Sequence, residues 1–416
     1  MSAPFTATSS RSSFPKDKIQ VLLLENIHDS ARQLFQTDGF QVELLPTALG
    51  EAELAERVER VHVLGIRSKT HVTDAVLARA KRLLSVGCFC IGTNQVDLAA
   101  ANTRGVPVFN APFSNTRSVA EMIIAEIVVL ARQLGDRSRE VHAGKWRKVA
   151  THSYEIRGKT LGIVGYGHIG RQVGVLAESM GMRVVFYDRT TKLSMGNNKA
   201  CVSLAELLGE ADFVTLHVPA TRETEGMIGA PELERMKKGA YLLNASRGTV
   251  VRIPALAEAI RRGHIGGAAI DVYPEEPESN GEGFVTALQN LPNVILTPHI
   301  GGSTGEAQEA IGREVATSLL RFVNTGGTRG AVNFPQIEMP PTPGAHRILN
   351  VHRNVPGVLR DVNQIVSSLN ANILAQTLST DAEIGYLVTD LEHDVSDEVS
   401  ERIAALATSI RTRILY

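Results

Sequence analysis

The sequence predicts an α/β protein: two doubly wound parallel sheets followed by a small β-α-β-β-α-β module. Three observations carry this. Short apolar runs alternate with helical patterns from residue 19 to residue 324. A Gly-rich turn, Gly165-Tyr-Gly-His-Ile-Gly170, joins one such run to a helical pattern. Pro335, Pro340, Pro341 and Pro343, followed by Gly344, then set the C-terminal stretch apart.

Residues 1–15 are rich in Ser, Thr and Ala without an apolar core, and read as a flexible leader. Runs at 19–24, 42–45, 61–66, 83–87 and 106–109 read as strands, with helical stretches such as 50–60 and 73–80 between them. That alternation implies βαβ units and a parallel sheet. Residues 119–134 form a long amphipathic helix after the Asn110-Ala-Pro112 break. Six more strand-like runs follow, at 160–164, 183–187, 213–218, 240–244, 267–271 and 294–296, and then a helix over 303–324. The prolines stop helix and sheet alike and predict a semi-rigid linker over 335–345. Beyond it come strand 348–352, helix 356–369, strands 373–379 and 385–391, helix 397–409 and strand 410–415, a ferredoxin-like order. The expected domains are 16–115 with return segment 303–334, 116–302, and 346–416.

The 416 residues carry 43 Lys plus Arg against 44 Asp plus Glu, a net charge of −1. No global field draws such a chain to nucleic acid or an anionic membrane. Any anion must be held by a local site. Three cysteines are too few for a disulfide framework, and Cys88 and Cys90 read as core filling. No apolar run approaches the roughly 18 residues of a membrane span. A cytoplasmic protein with no metal centre is expected.

The Gly-rich turn has the dinucleotide-binding pattern in its required context. Gly165 makes the tight turn, Gly167 admits a pyrophosphate, and Gly170 lets the helix pack on the strand. Asp188 ends the next strand 18 residues after Gly170, where an acid accepts ribose hydroxyls and repels the extra phosphate of NADP. Arg189 beside it works against that repulsion.

Three polar residues follow expected strand ends, where ligands bind in open α/β sheets. Arg247 suits a substrate carboxylate. His299 suits a proton acceptor at a hydroxyl losing hydride. Glu276 would orient that imidazole and raise its pKa.

The segments around these residues, with Asn244-Ala-Ser-Arg-Gly248, Asp271-Val-Tyr-Pro-Glu-Glu-Pro277 and Thr297-Pro-His-Ile-Gly-Gly302, resemble the D-isomer-specific 2-hydroxyacid dehydrogenases. Gly87-Cys-Phe-Cys-Ile-Gly-Thr-Asn-Gln95, Asn110-Ala-Pro-Phe-Ser-Asn-Thr-Arg-Ser118 and the C-terminal module resemble more narrowly the bacterial members acting on 3-phosphoglycerate. The resemblance implies a flavodoxin-like substrate domain, a Rossmann domain for NAD, and an ACT regulatory domain. It implies Arg247, Glu276 and His299 as the catalytic set. It places His168, Ile169, Asp188, Ala245, Ser246, Asp271, Ile300, Gly301 and Gly302 around the cofactor. Arg67, Ser68 and Asn115 are implied substrate contacts. Lys69 and Lys148 read either as phosphate partners or as surface lysines.

In that family ACT modules pair edge to edge around L-serine, which implies His352, Asn354 and Asn372 as effector contacts. Asn354 also reads as a helix cap. Gly344-Ala345 stands where a Gly-Gly pair is expected. Trp146 reads as a subunit-interface anchor or as core, and a homotetramer through cofactor-domain and ACT-domain contacts is implied. Another 2-hydroxy acid such as 2-hydroxyglutarate, or a corepressor-like dinucleotide sensor, are the alternatives.

Overall fold

A computed structural model describes residues 14–277, 281–392 and 396–415. Most of the expected leader lies outside them. The chain divides into two compact units, residues 1–114 with 308–416, and residues 115–307.

In the first unit, strands β1 (Gln20–Leu23), β2 (Gln41–Leu44), β3 (Val63–Ile66), β4 (Ser85–Cys88) and β5 (Val108–Asn110) form a parallel sheet of order β2-β1-β3-β4-β5. This is the flavodoxin-like order, with its reversal between β1 and β3. Strands β3 and β4 are buried throughout, as a sheet covered on both faces requires. Cys88 is buried, but Cys90 lies past the end of β4, where it is only partly buried and packs at the edge of the core.

The second unit holds β6 (Thr160–Val164), β7 (Arg183–Tyr187), β8 (Lys199–Ala200), β9 (Phe213–Leu216), β10 (Ala240–Asn244), β11 (Ile265–Ile270) and β12 (Val294–Leu296). Their order, β12-β11-β10-β9-β6-β7-β8, is the Rossmann order extended by a strand. The long helix expected over 119–134 runs Thr116–Arg132. Its buried residues, including Val119, Ile123, Ile127 and Leu130, recur at helical spacing and pack with Leu161 and Ile163 of β6. Left-handed Gln133 ends it, and a second helix, Leu134–His142, follows that the sequence pattern did not show. Trp146 is 86% exposed, which rules out a core role within this chain.

The C-terminal module is an antiparallel sheet of β13 (His346–Arg353), β14 (Ile373–Thr380), β15 (Ile384–Leu391) and β16 (Ser409–Leu415), in the order β14-β15-β13-β16. It shares a core with the first sheet: Leu349, Val351, Ile384 and Tyr386 pack in one cluster with Leu23, Phe109, Leu319 and Phe322. Tyr386 donates its hydroxyl to the Gly326 carbonyl at 2.7 Å. Arg347 is 6% and Asp390 1% exposed, and they pair through bonds of 2.6 and 2.8 Å. The remaining Arg347 N–H groups donate to the carbonyls of Thr325, Met339 and Pro340, so the linker is fastened to the module.

Three local expectations need correction. Pro356 stands before Gly357, the left-handed residue preceding helix Val358–Ser368, and so lies outside the first turn. Asn354 caps nothing; its side chain donates to the Asp381 carbonyl at 2.6 Å. The last helix ends at Ala404, because a turn is needed before β16. At the linker, only Gly344 adopts a positive φ (77°), so an alanine at 345 fits the backbone without strain.

Candidate active site

The second unit's site is built at the carboxyl ends of β6, β7, β10, β11 and β12. The turn after β6 has the geometry a dinucleotide needs. Gly165 has φ of 92°, and a Cβ there would lie 2.3 Å from the His217 carbonyl oxygen. A Cβ on Gly170 would lie 2.3 Å from the Gly165 oxygen, so helix His168–Ser179 reaches its distance from β6 only with glycine. A Cβ on Gly167, by contrast, would meet nothing within 4 Å. The helix N-terminus opens onto that space, where the positive end of its dipole favours a phosphate. His168 and Ile169 form its first turn.

Asp188 follows β7. Its Oδ2 accepts the Tyr166 N–H at 3.0 Å, and its Oδ1 accepts the Thr190 N–H and hydroxyl at 3.0 and 2.9 Å. Partial burial would raise this carboxyl, but those bonds hold it below its ordinary value, so it stays charged. Arg189 is paired with Glu223 on the exposed rim. A fixed anion with its neighbouring cation engaged favours a ribose diol over a ribose phosphate. Asp188→Ala is expected to weaken NAD and narrow its margin over NADP, read from KM for each cofactor.

Around the chemical residues, Asn244 ends β10 and its amide oxygen accepts the Ser246 N–H and hydroxyl at 3.1 and 2.7 Å. Its amide nitrogen donates to the Arg247 carbonyl at 3.0 Å. Arg247 is thereby fixed in extended backbone, with Ala245 and Ser246 behind it. Gly248 is obligatory: a Cβ there would fall 1.9 Å from the Tyr273 carbonyl carbon.

Asp271, beyond β11, is fully buried and organises the last loop. Its Oδ1 accepts the Thr297 hydroxyl and the Ile300 N–H, at 2.7 and 2.8 Å. Its Oδ2 accepts the Gly301 N–H at 2.9 Å. His299 sits within this loop in left-handed conformation, φ 55°, with its N–H on the Asp271 carbonyl at 2.8 Å. A non-glycine residue held there is uncommon and tends to mark a functional position. Its Nδ1 lies 2.7 Å from Glu276 Oε2, while Glu276 Oε1 accepts the Tyr273 N–H at 3.0 Å.

The electrostatics follow from that pair. The Glu276 bond raises the His299 pKa, burial opposes it, and the charges of Glu276 and Asp271 add to the rise. Burial would raise Glu276, but the His299 and Tyr273 bonds and the Arg247 charge bring it below its ordinary value.

The structure thus brings Arg247, Glu276 and His299 into one electrostatic group, at the same carboxyl-end edge of the sheet as the Gly-rich turn. The other expected contacts are divided between the two units. Asn115 precedes helix Thr116–Arg132, and a Cβ on Gly302 would meet its Nδ2 at 2.5 Å. Lys148 lies on an exposed stretch of the same unit. Arg67, Ser68 and Lys69 belong to the first unit, after β3, with Arg67 half-buried and the other two exposed.

In the C-terminal module, His352 is 4% exposed and its Nδ1 lies 3.0 Å from Asn350 Oδ1. Burial lowers its pKa. Asn372 donates to Glu392 at 3.1 Å.

A buried acid of the second unit escaped sequence reasoning. Glu126, in helix Thr116–Arg132, is pushed up to about 8 by burial and by the negative charge of Asp271. Its only signal was an acid interrupting an apolar face. The folded chain holds this proton up to about pH 8, whereas the unfolded chain releases it near its ordinary value of 4.5. The native state therefore binds more protons across that window, and stability falls as pH rises through it. The fall is on the order of 1 kcal/mol per pH unit. Glu126→Gln is expected to flatten it, as read from urea unfolding at several pH values.

The comparisons with known proteins agree with this geometry. Residues 124–301 match the family described as D-isomer specific 2-hydroxyacid dehydrogenase, NAD binding domain, and residues 348–411 match an AHAS small subunit-like ACT domain. A Dictyostelium discoideum protein named D-3-phosphoglycerate dehydrogenase is 58% identical over 97% of this chain and 99% of its own length. A Saccharomyces cerevisiae protein named D-3-phosphoglycerate dehydrogenase 1 is 52% identical over 97% of this chain and 89% of its own. An Escherichia coli protein named D-3-phosphoglycerate dehydrogenase is 49% identical, over 97% of this chain and 99% of its own length. The likeness is therefore not confined to bacterial members.

A crystal structure of a Thermus thermophilus protein, 34% identical, covers 76% of this chain and 100% of its own with a TM-score of 0.69. That of a Lactobacillus delbrueckii D-isomer specific 2-hydroxyacid dehydrogenase in its NAD-complexed form, 26% identical, covers 76% and 100% with a TM-score of 0.66. Glycine turn, the carboxylate after β7, Arg-Glu-His group and relatives converge: this chain belongs to the D-isomer-specific 2-hydroxyacid dehydrogenases, an NAD-binding family of oxidoreductases.

Proposed function

We propose that the chain oxidises D-3-phosphoglycerate to 3-phosphohydroxypyruvate with NAD, the entry step of phosphorylated L-serine synthesis, in the cytoplasm. The observation that carries the chemistry is the Glu276–His299 pair at 2.7 Å with Arg247 in electrostatic reach. The substrate assignment is supported by relatives of that name matching nearly the whole chain.

When bound, NAD supplies the acceptor for the hydride from C2. His299 takes the hydroxyl proton on Nε2, since Nδ1 is engaged by Glu276. Glu276 fixes the ring and stabilises the imidazolium that results. Arg247 holds the substrate carboxylate and polarises the developing carbonyl. Arg67, Ser68, Asn115, Lys69 and Lys148 serve the carboxylate and phosphate.

His352, Asn354 and Asn372 bind L-serine between paired ACT modules, which lowers the rate. Trp146 and the nearby exposed Val141 anchor a second copy in a homotetramer.

Initial rates of NADH formation with 3-phosphoglycerate test the reading, with and without L-serine. No activity in either direction would overturn it. Activity confined to 2-hydroxyglutarate would move the assignment to that substrate.

A further inference from the structure

A buried acid in the first unit, outside the catalytic group, holds the loop that carries Arg67, Ser68 and Lys69. Strands β1 and β3 are neighbours in the parallel sheet, so the loops leaving their carboxyl ends lie side by side. After β1 the chain makes two successive left-handed residues, Glu25 (φ 61°) and Asn26 (φ 54°). Such residues are strained and persist only where their surroundings hold them. The Glu25 N–H donates to the Thr47 carbonyl at 3.2 Å, and the Asn26 N–H to Leu45 at 3.3 Å.

The turn leaves Glu25 8% exposed, with its carboxylate beneath the loop after β3. Glu25 Oε1 accepts the Arg67 and Thr70 N–H groups at 3.1 and 2.9 Å, and Oε2 accepts the Lys69 N–H at 2.9 Å. Three charge-assisted bonds offset the desolvation of a buried carboxylate. From the other side, Gln95 Nε2 donates to the Arg67 carbonyl at 2.5 Å. Gln95 is itself buried. The loop backbone is gripped on both its N–H and its carbonyl side, while the Ser68 and Lys69 side chains stay exposed.

We propose that Glu25 is a positioning residue for the anionic substrate: its carboxylate fixes the backbone from which Arg67, Ser68 and Lys69 reach that substrate. This rests on reading those three as substrate contacts. The sign of the effect separates positioning from simple electrostatics. A negative charge near an anion site repels the anion, so its removal should tighten binding if charge alone mattered. If Glu25 acts by orienting the loop, its removal loosens binding, because the cations lose their fixed geometry.

The full chain with Glu25→Gln is compared with the unaltered protein in steady-state kinetics. KM for 3-phosphoglycerate should rise about tenfold or more, the equivalent of one charge-assisted bond, with KM for NAD and kcat nearly unchanged. Glu25→Asp keeps the charge with a shorter reach, should raise KM less, and carries the test if the glutamine variant does not fold. An unchanged or lowered KM overturns the proposal. So does a loss of NAD binding in step with the loss of substrate binding, which would mark a general structural role. If the unaltered protein fails to oxidise 3-phosphoglycerate, the assigned activity falls instead.

Discussion

His299→Ala is expected to cut turnover by about 10²–10⁴-fold, the usual contribution of a positioned general base, with NAD affinity largely retained. The separation is expected because two of the proposed cofactor contacts, the turn after β6 and Asp188, are built from other segments. Fluorescence titration with NADH beside initial rates would show whether binding and turnover part in this way. The pH dependence adds a second readout. Hydroxyl oxidation needs neutral His299, whose pKa the Glu276 bond raises above the ordinary 6.5. The kcat/KM for oxidation should therefore rise as pH climbs through that raised value, while carbonyl reduction should fall. Glu276→Gln removes the charge responsible and should move both inflections to lower pH.

Asp390→Ala is expected to lower the stability of the first unit by about 3–5 kcal/mol, the usual result of deleting one partner of a buried ion pair. The Arg347 left behind is 6% exposed, and two of its N–H groups lose their acceptor. Its remaining bonds go to three main-chain carbonyls, none of which carries a compensating charge. Calorimetry of the full chain should show an earlier transition, with NADH binding to the second unit preserved up to it. Unchanged thermal behaviour would mean that water or a rearranged linker takes the place of the carboxylate.

The strands and long helices were legible because their periodicity reflects burial that the sheet architecture imposes. The Gly-rich turn and Asp188 were legible for a similar reason: backbone approach and a strand end fix residue type at fixed spacing. Arg247, Glu276 and His299 each follow a strand end, but only resemblance grouped them, since loop geometry brings them together. The left-handed backbone at His299 leaves no mark in the sequence. Asn244, Glu126 and Glu25 were missed because they act on backbone or lie buried, and an isolated polar residue in an apolar stretch does not announce its partner. Helix Leu134–His142 was missed because it buries no residue and has no apolar stripe to read. Asn354 was misread as a cap because Gly357 sets the helix start.

The ion pair between Arg189 and Glu223 bears on redesign of cofactor preference. A cation that could receive a ribose phosphate already stands next to Asp188, but it is committed elsewhere. Exposed pairs of this kind contribute at most about 1 kcal/mol, so Glu223 can be exchanged with little loss of fold. Replacing Asp188 alone lifts a repulsion without providing an attraction. Replacing Asp188 and Glu223 together should do both, which makes the shortest mutational route toward NADP a double step whose two changes are worth more jointly than apart.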